Sequence, residues 1–520
     1  MALIDTYSQP LSSEQVAHLL RRTTFGATPA QLKEWTGKKV DEIVIQLLAS
    51  QPTPTHPTLK DGTTFHNLSW GNNAATDADR NTYDSNARKQ LKYWWIGLMI
   101  KQPVSIIEKM TLFWQNHFVS TTTEASDARF MYSYLQLMRK YALGNFRQFV
   151  IEVSKDPAML KYLDNDQNTA AKSNENYARE LQELFTIGIG NYNEDDVKAA
   201  ARVLTGWRTI GYRDITKPDI GTEFRISQHD TKDKVFSTFY QNKTIKGRTT
   251  ATAGDEELTE FIDLILAQKA TALFIVRKFY RWFVQAEISE QIEKEVIEPL
   301  ATIFRKNYEI KPVIETLLKS QHFFDINLLG SQIKSPLDLV IGTLRTFNYQ
   351  LPDPLTDRLT FDNATTYFFT RAREQQMEVL EQPSVFGWRP YYDTDFYEIW
   401  INSTTLALKG SFTDIIVKGS TSLKLTFDSI ALAKNTSNPK EPYGLVKALT
   451  QPLFAVVLSD EQNKYLVEEV LMAGQPYYEW ITIWTDHIDD PNNNNKKTAV
   501  KSRLDRLFTY LLRLAEFQMG

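Results

Sequence analysis

The sequence predicts a mainly α-helical protein: one large multi-helix globular unit with long loops and at most a small β-hairpin. Three observations carry this. Apolar residues recur at helical spacing over most of the chain, helix-start signals such as Thr28-Pro29 and Ser335-Pro336 precede several of those segments, and only one short stretch reads as extended. The 520 residues, 42 % hydrophobic and 23 % charged, can bury a sizeable core.

The elements follow in order. Residues 14–24 form a first helix running into a turn marked by Gly26 and Pro29, and 29–49 form a second, with proline at its first position. Residues 51–85 lose periodicity and are rich in Pro, Thr, Asn, Gly and Asp, so they read as a long irregular loop. From 86 to 118 the pattern returns, with Trp94, Trp95, Leu98 and Met99 on one stripe and Ile106, Met110, Phe113, Trp114 and His117 on the next. Further helices are expected over 127–163, 174–187, 194–206, 255–285, 288–306, 310–320, 335–348 and 499–516. Residues 415–417 and 423–427 flank Gly419-Ser420 and predict the hairpin. No repeat of 20 to 50 residues is present, so 1–520 reads as a single unit. If it divides, the break falls near 330–335, between an N-terminal helical part (1–330) and a C-terminal one (331–520).

Composition limits the function classes. A net charge of −4 and a pI near 6.1 argue against nucleic acid or an anionic membrane as partner, since phosphate binding needs a clustered basic surface. The absence of cysteine removes disulfides, thiolate metal sites and cysteine nucleophiles together. The opening residues, MALIDTY, carry no signal-peptide pattern, and no apolar run reaches the ~18 residues of a membrane span. The expectation is a cytoplasmic protein without a transmembrane segment, with export, by a trimmed signal or a partner, as the alternative. The 11 Trp, 23 Tyr and 29 Phe read first as core packing and second as a carbohydrate or peptide platform.

The densest chemistry lies in residues 172–208, KSNENYARELQELFTIGIGNYNEDDVKAAARVLTGWR. On a helix of 100° per residue, Tyr177, Ala178, Leu181, Leu184, Phe185 and Gly188 face one way, while Asn176, Glu180 and Glu183 share a polar stripe flanked by Glu175, Arg179 and Gln182. Two carboxylates three residues apart repel, and partial burial then raises one pKa, which supplies an acid and a base near neutrality. Arg179 reaches Glu175 or Glu183 at i±4. An ordinary solvent-facing helix accounts for the same spacing, but the two asparagines and the upstream run 164–168, DNDQN, favour a cleft. Gly188 ends the helix and Asn193 caps the next, with Asp196 at its third position.

The same run closely resembles the signature of the bacterial domain of unknown function 1800 family, an Asn-Glu-Asn-aromatic-Ala-Arg-Glu-Leu motif, a Leu-Phe-Thr-Leu-Gly-like turn and an Ala-rich helix ending in Thr-Gly-Trp. The resemblance extends through 18–29 (HLLRRTTFGATP), 108–118 (EKMTLFWQNHF), 228–234 (QHDTKDK), 334–338 (KSPLD), 382–388 (QPSVFGW), 400–403 (WINS) and 515–518 (AEFQ). Two departures stand out: many relatives have His at Gln115 and a Pro-Pro-Asn-like run at 382–384. If the histidine at the position of Gln115 is a metal ligand in relatives, this chain binds metal poorly. The family carries over no settled catalytic residues. Its members are often exported and are frequently encoded beside a sulfatase-like or phosphatase-like companion, which implies such a partner and an anionic glycan or peptide ligand.

His117 lies in line with apolar residues, so it reads as a hydrogen-bonded core histidine, as a general base, or as one ligand of a His/carboxylate metal site completed by Glu180, Glu183 or Asp164. His229, Asp230 and Lys234 sit in an irregular segment and converge on a ligand only in a turn. Lys334 to Asp338 is a helix start, with Ser335 as cap and Pro336 at the first position. Trp388, Trp400 and Asn402 offer rings and an amide on loops, as a sugar or peptide surface would. No serine nucleophile elbow, phosphate loop, dinucleotide fingerprint or His-Glu-x-x-His is present, and neither metal nor cofactor is expected. The sequence is thus read as an acid/base hydrolase-like or transferase-like enzyme acting on an envelope polymer or peptide. In that reading His117, Glu180 and Glu183 are catalytic and Asn176, Arg179, His229, Asp230, Lys234 and Trp388 bind substrate. The alternatives are a non-catalytic binding or assembly subunit for the companion, or a signature used solely for folding.

Overall fold

The computed structural model describes residues 2–59, 76–214 and 219–520. It is 59 % helical. Strands among the described residues are confined to two antiparallel pairs, Trp207–Ile210 with Gly221–Phe224 and Lys234–Val235 with Thr244–Ile245. The mainly α architecture predicted from periodicity is therefore the architecture of the protein. No described helix is long and apolar enough to cross a membrane.

Several predicted helices are broken where backbone chemistry demands it. The 29–49 segment divides into Pro29–Trp35 and Val40–Leu47 around Gly37, whose φ is 86°. The 86–118 segment divides into Asp77–Lys101 and Ile107–His117, because Pro103 cannot continue a helix. The first of these begins at 77, inside the stretch expected to be irregular, while 60–75 of that stretch lie outside the described residues.

The expected hairpin at 415–427 is not formed. Asn402 caps a helix, Ser403–Lys418, that carries residues 415–417 with Phe412, Ile416 and Val417 buried, and only a bridge between Ser420 and Leu425 remains. A strong cap and an apolar stripe at helical spacing override the β preference of Ile415-Ile416-Val417.

Apolar side chains gather into two clusters. The larger runs from Leu11 to Leu425 and includes Trp95, Trp114, Phe118, Phe149 and Phe279. The smaller is built around Leu445, Val467, Trp480, Trp484, Leu504 and Phe508. The helix Pro336–Thr346 joins them, with Leu339 in the smaller cluster and Val340 and Ile341 in the larger. It crosses the end of Ser13–Thr24 very closely: a Cβ on Gly342 would lie 2.4 Å from the Phe25 carbonyl oxygen, and one on Gly26 would lie 3.0 Å from Gly342 Cα. Only glycines at 26 and 342 allow this approach, which brings Arg21 and Arg22 toward Lys334 and Asp338.

Candidate functional site

The signature helix spans Asn176–Glu183, with Tyr177, Ala178, Leu181 and Gln182 buried. Gln182, placed beside the polar stripe by helical spacing, instead points inward. Its Oε1 accepts from Tyr240 Oη at 2.6 Å and its Nε2 donates to Ala178 O at 3.0 Å. The asparagines upstream serve the backbone. Asn174 Nδ2 donates to Asp164 O at 3.1 Å, Asn174 Oδ1 accepts from the amide of Asn176 at 3.0 Å, and Asn168 Nδ2 donates to Ala201 O at 2.8 Å. Asn176 itself is exposed, its Nδ2 3.4 Å from Leu163 O. Asn193 caps the following helix as expected, accepting from the amides of Asp195 and Asp196 at 3.0 Å each.

On the outer face the charges are unevenly engaged. Arg179 makes paired hydrogen bonds to Glu194 at 2.7 and 2.8 Å and a longer contact to Glu175 at 3.5 Å. Glu183 accepts from the Tyr192 hydroxyl. Glu180 lies between them, partly buried, its carboxylate without a hydrogen-bond or ion-pair partner among the described residues. Burial, then the charge of Glu183, pushes its carboxyl up to about 7, against the opposing pull of Arg179. Tyr162 is pushed up to about 12, first by burial and then by the charges of Glu124, Glu180 and Glu381, which share its surroundings. Glu381 is tethered by Lys92 at 3.0 Å and by Thr122.

His117 meets the segment that follows the signature helix, and neither of its nitrogens touches Glu180 or Glu183. Its Nε2–H donates to Phe185 O at 3.0 Å, and Lys278 Nζ donates to its Nδ1 at 3.2 Å. Lys278 also donates to Leu184 O at 3.3 Å. Burial, followed by the charge of Lys278, holds His117 well below the ordinary histidine range, so the ring is neutral with its proton on Nε2. Burial and Arg281 bring the Lys278 amine down to about 7. The pair satisfies two carbonyls after Glu183 that a helix end would leave open.

His229 and Lys234 converge on Glu257, a residue the sequence does not single out, while the Asp230 carboxylate turns to Arg202 and its carbonyl oxygen accepts from Lys234. Lys234 Nζ lies 2.5 Å and His229 Nε2 3.2 Å from Glu257 Oε2, and all three side chains are fully buried. Arg202 holds Asp230 at 2.8 and 3.1 Å. The signal for Glu257 was a carboxylate on the apolar stripe of Ala253–Ala267, between Gly254, Leu258 and Phe261.

Trp388 is 2 % exposed and Trp400 5 %, so neither offers an open platform; Phe386 and Tyr392 are the exposed rings of that segment. The Trp388 amide donates to Asn116 Oδ1 at 2.8 Å, where Gly387, at φ 88°, has no room for a Cβ. The two positions that depart from the family pattern touch each other. Gln115 Nε2 donates to Gln382 Oε1 at 2.7 Å, and Gln382 Nε2 returns a bond to Gln115 Oε1. No group of three or more His, Asp or Glu side chains among the described residues is arranged to hold a metal. A larger apolar cavity of about 680 Å³ opens elsewhere, lined by Ile326, Leu329, Phe454 and Val456, and includes none of the residues singled out above.

No curated protein and no solved structure matches this chain. One family model does, over residues 18–519, under the description Protein of unknown function (DUF1800). That span takes in the opening arginines, the buried Ile107–His117 helix, the signature helix and the closing Phe517, so the chain belongs to the DUF1800 family.

Proposed function

We propose that the outer face of the signature helix is a proton-transfer site of a hydrolase-like or transferase-like enzyme, with Glu180 as the exchanging group. One observation carries the reading: Glu180 is the partly buried carboxyl left without a partner while Arg179 and Glu183 beside it are engaged. A carboxyl held near 7 is present in both protonation states at neutral pH, so it can give or take a proton. Glu183, oriented by Tyr192, supplies the neighbouring negative charge. Tyr162 adds a phenol that stays protonated. His117 is a positioning residue here, fixing the turn after Glu183 through the Phe185 carbonyl. The open face and the exposed Asn176 suit a polymer or peptide better than an enclosed small molecule.

Infrared difference titration of wild type against Glu180→Gln tests this. The expected result is a protonated-carboxyl band lost with a midpoint near pH 7, and a midpoint in the ordinary glutamate range overturns the reading. Against a panel of chromogenic esters and glycosides, Glu180→Gln is expected to lower any wild-type turnover by roughly 10²- to 10⁴-fold.

A further inference from the structure

Three segments distant in sequence meet at a small notch. Arg21 and Arg22 come from the last turn of Ser13–Thr24, Lys109 from Ile107–His117, and Lys334 precedes Pro336–Thr346. The notch encloses about 20 Å³, room for one water-sized atom at its depth. Lys409 stands behind it, donating to Lys334 O at 3.2 Å. Among the described side chains, the one carboxylate lining the notch is Asp338, and it is already engaged; Gly520 also lines the notch. Lys109 donates to one of its oxygens, and Ser335 Oγ donates to the other at 2.8 Å.

The remaining partners are neutral. Arg21 donates to Pro452 O at 3.0 Å and Phe454 O at 2.9 Å, Arg22 to Ser331 Oγ at 3.2 Å, and Lys334 to Phe517 O at 2.7 Å. Carbonyls and hydroxyls solvate a cation without cancelling its charge, and Arg22 Nε has no acceptor at all. Lys109, paired with Asp338, also lies 4.7 Å from the Phe25 ring centre and 5.4 Å from that of Trp282, so Asp338 is spent on it and the other basic groups are left with neutral partners. Arg21, Arg22 and Lys109 are 8 %, 4 % and 4 % exposed, so water does little to compensate them. Concentrating unneutralised charge in this way is costly unless an anion arrives. Burial agrees with this, bringing the Lys409 amine down to about 8 and holding Lys334 well below its ordinary range.

We propose that this notch is an oxyanion-binding site, taking an oxygen of a phosphate or sulfate group between Arg22, Lys109 and Lys334, with the rest of the group at the mouth. The guanidinium of Arg22 offers a planar fork and the lysines offer point charges, the combination suited to such groups. The group is either the free ion or a monoester of a larger ligand.

Calorimetric titration of the full chain at constant ionic strength tests the site, with inorganic phosphate and phenyl phosphate as probes and chloride as the control. Saturable binding of either phosphate, competed by sulfate and not by chloride, is expected. A preference for phenyl phosphate identifies a monoester as the natural source, and a preference for inorganic phosphate identifies the free ion. Lys334→Gln is expected to weaken binding roughly tenfold or more, the loss of one charge-assisted hydrogen bond. Lys198→Gln, at an exposed lysine, leaves it unchanged. Should Lys334→Gln fail to fold, amine labelling of wild type decides, with phosphate expected to slow modification of Lys334. No saturable phosphate or sulfate binding to wild type, equal competition by chloride, undiminished binding in folded Lys334→Gln, or protection confined to other lysines overturns the proposal.

Discussion

At the Glu257 cluster, Lys234 and His229 approach one buried carboxylate at 2.5 and 3.2 Å while Arg202 grips Asp230 at 2.8 and 3.1 Å nearer the surface, so two basic side chains besides the histidine face two carboxylates. At the Arg22 notch, five basic side chains face one carboxylate among the described side chains, Asp338, and the cluster opens to the surface through half-buried Lys334. Each group draws most of its residues from family-like segments, and each is largely buried. The difference teaches that convergence of titratable side chains does not by itself mark a ligand site. A balanced cluster is complete as it stands, whereas an unbalanced one with a mouth calls for a further charge.

Glu257→Ala strands Lys234 in the interior and is expected to cost about 3–5 kcal/mol, read by chemical denaturation. Pairing it with Lys234→Met removes the stranded charge and should recover most of that loss; a double variant as unstable as the single one would show that packing, not charge, matters there.

Asp338→Asn probes the unbalanced cluster in the same way. It keeps an acceptor for Ser335 but removes the carboxylate that Lys109 pairs with, so a loss of about 2–3 kcal/mol is expected. Inorganic phosphate should restore part of it, which it should not do for Glu257→Ala. Equal rescue of both, or of neither, erases the distinction between the clusters.

His117→Phe leaves the Phe185 carbonyl without its ring donor and removes one of the two acceptors of Lys278, and is expected to cost about 1–3 kcal/mol. Because burial depresses the folded-state pKa of His117, the unfolded chain binds the extra proton below about pH 6.5. The contribution of His117 is therefore present above that pH and is lost as pH falls below it. The deficit of His117→Phe, measured by thermal unfolding, should shrink between pH 7 and pH 5.

The smallest effect is at Glu180. Its folded-state pKa is raised to about 7, so the folded state holds a proton that the unfolded chain releases, and stability falls as pH rises from the ordinary glutamate range to 7. Glu180→Gln removes that fall. After allowance for solvent screening, a gain on the order of 1 kcal/mol over wild type is expected at pH 8, with none at pH 4. A gain independent of pH would point to helix propensity instead.

Helical periodicity made most of the first 350 residues legible, along with the caps at Asn193 and Ser335. It failed at 415–427 because β-branched residues sit on a helix whose start, at Asn402, lies a dozen residues upstream. The polar stripe of Glu180 and Glu183 could be drawn from spacing alone. What separates them, the Tyr192 hydroxyl that engages Glu183 and not Glu180, comes from the turn after the helix and leaves no mark in that spacing. Lys334 to Asp338 was readable as a helix start, but its second role depends on Gly26 and Gly342 allowing two helices to meet, a contact across more than 300 residues. Trp388 was read as a surface ring because it lies in a loop, yet that loop packs onto Asn116.

Anomalous diffraction from crystals equilibrated with selenate, an oxyanion of the same shape as sulfate, tests most directly the claim that unbalanced buried charge marks the ligand site. The account predicts an anomalous peak at the notch between Arg22, Lys109 and Lys334 and none beside Lys234 and His229. An empty notch, or selenate at the balanced Glu257 cluster, would contradict it.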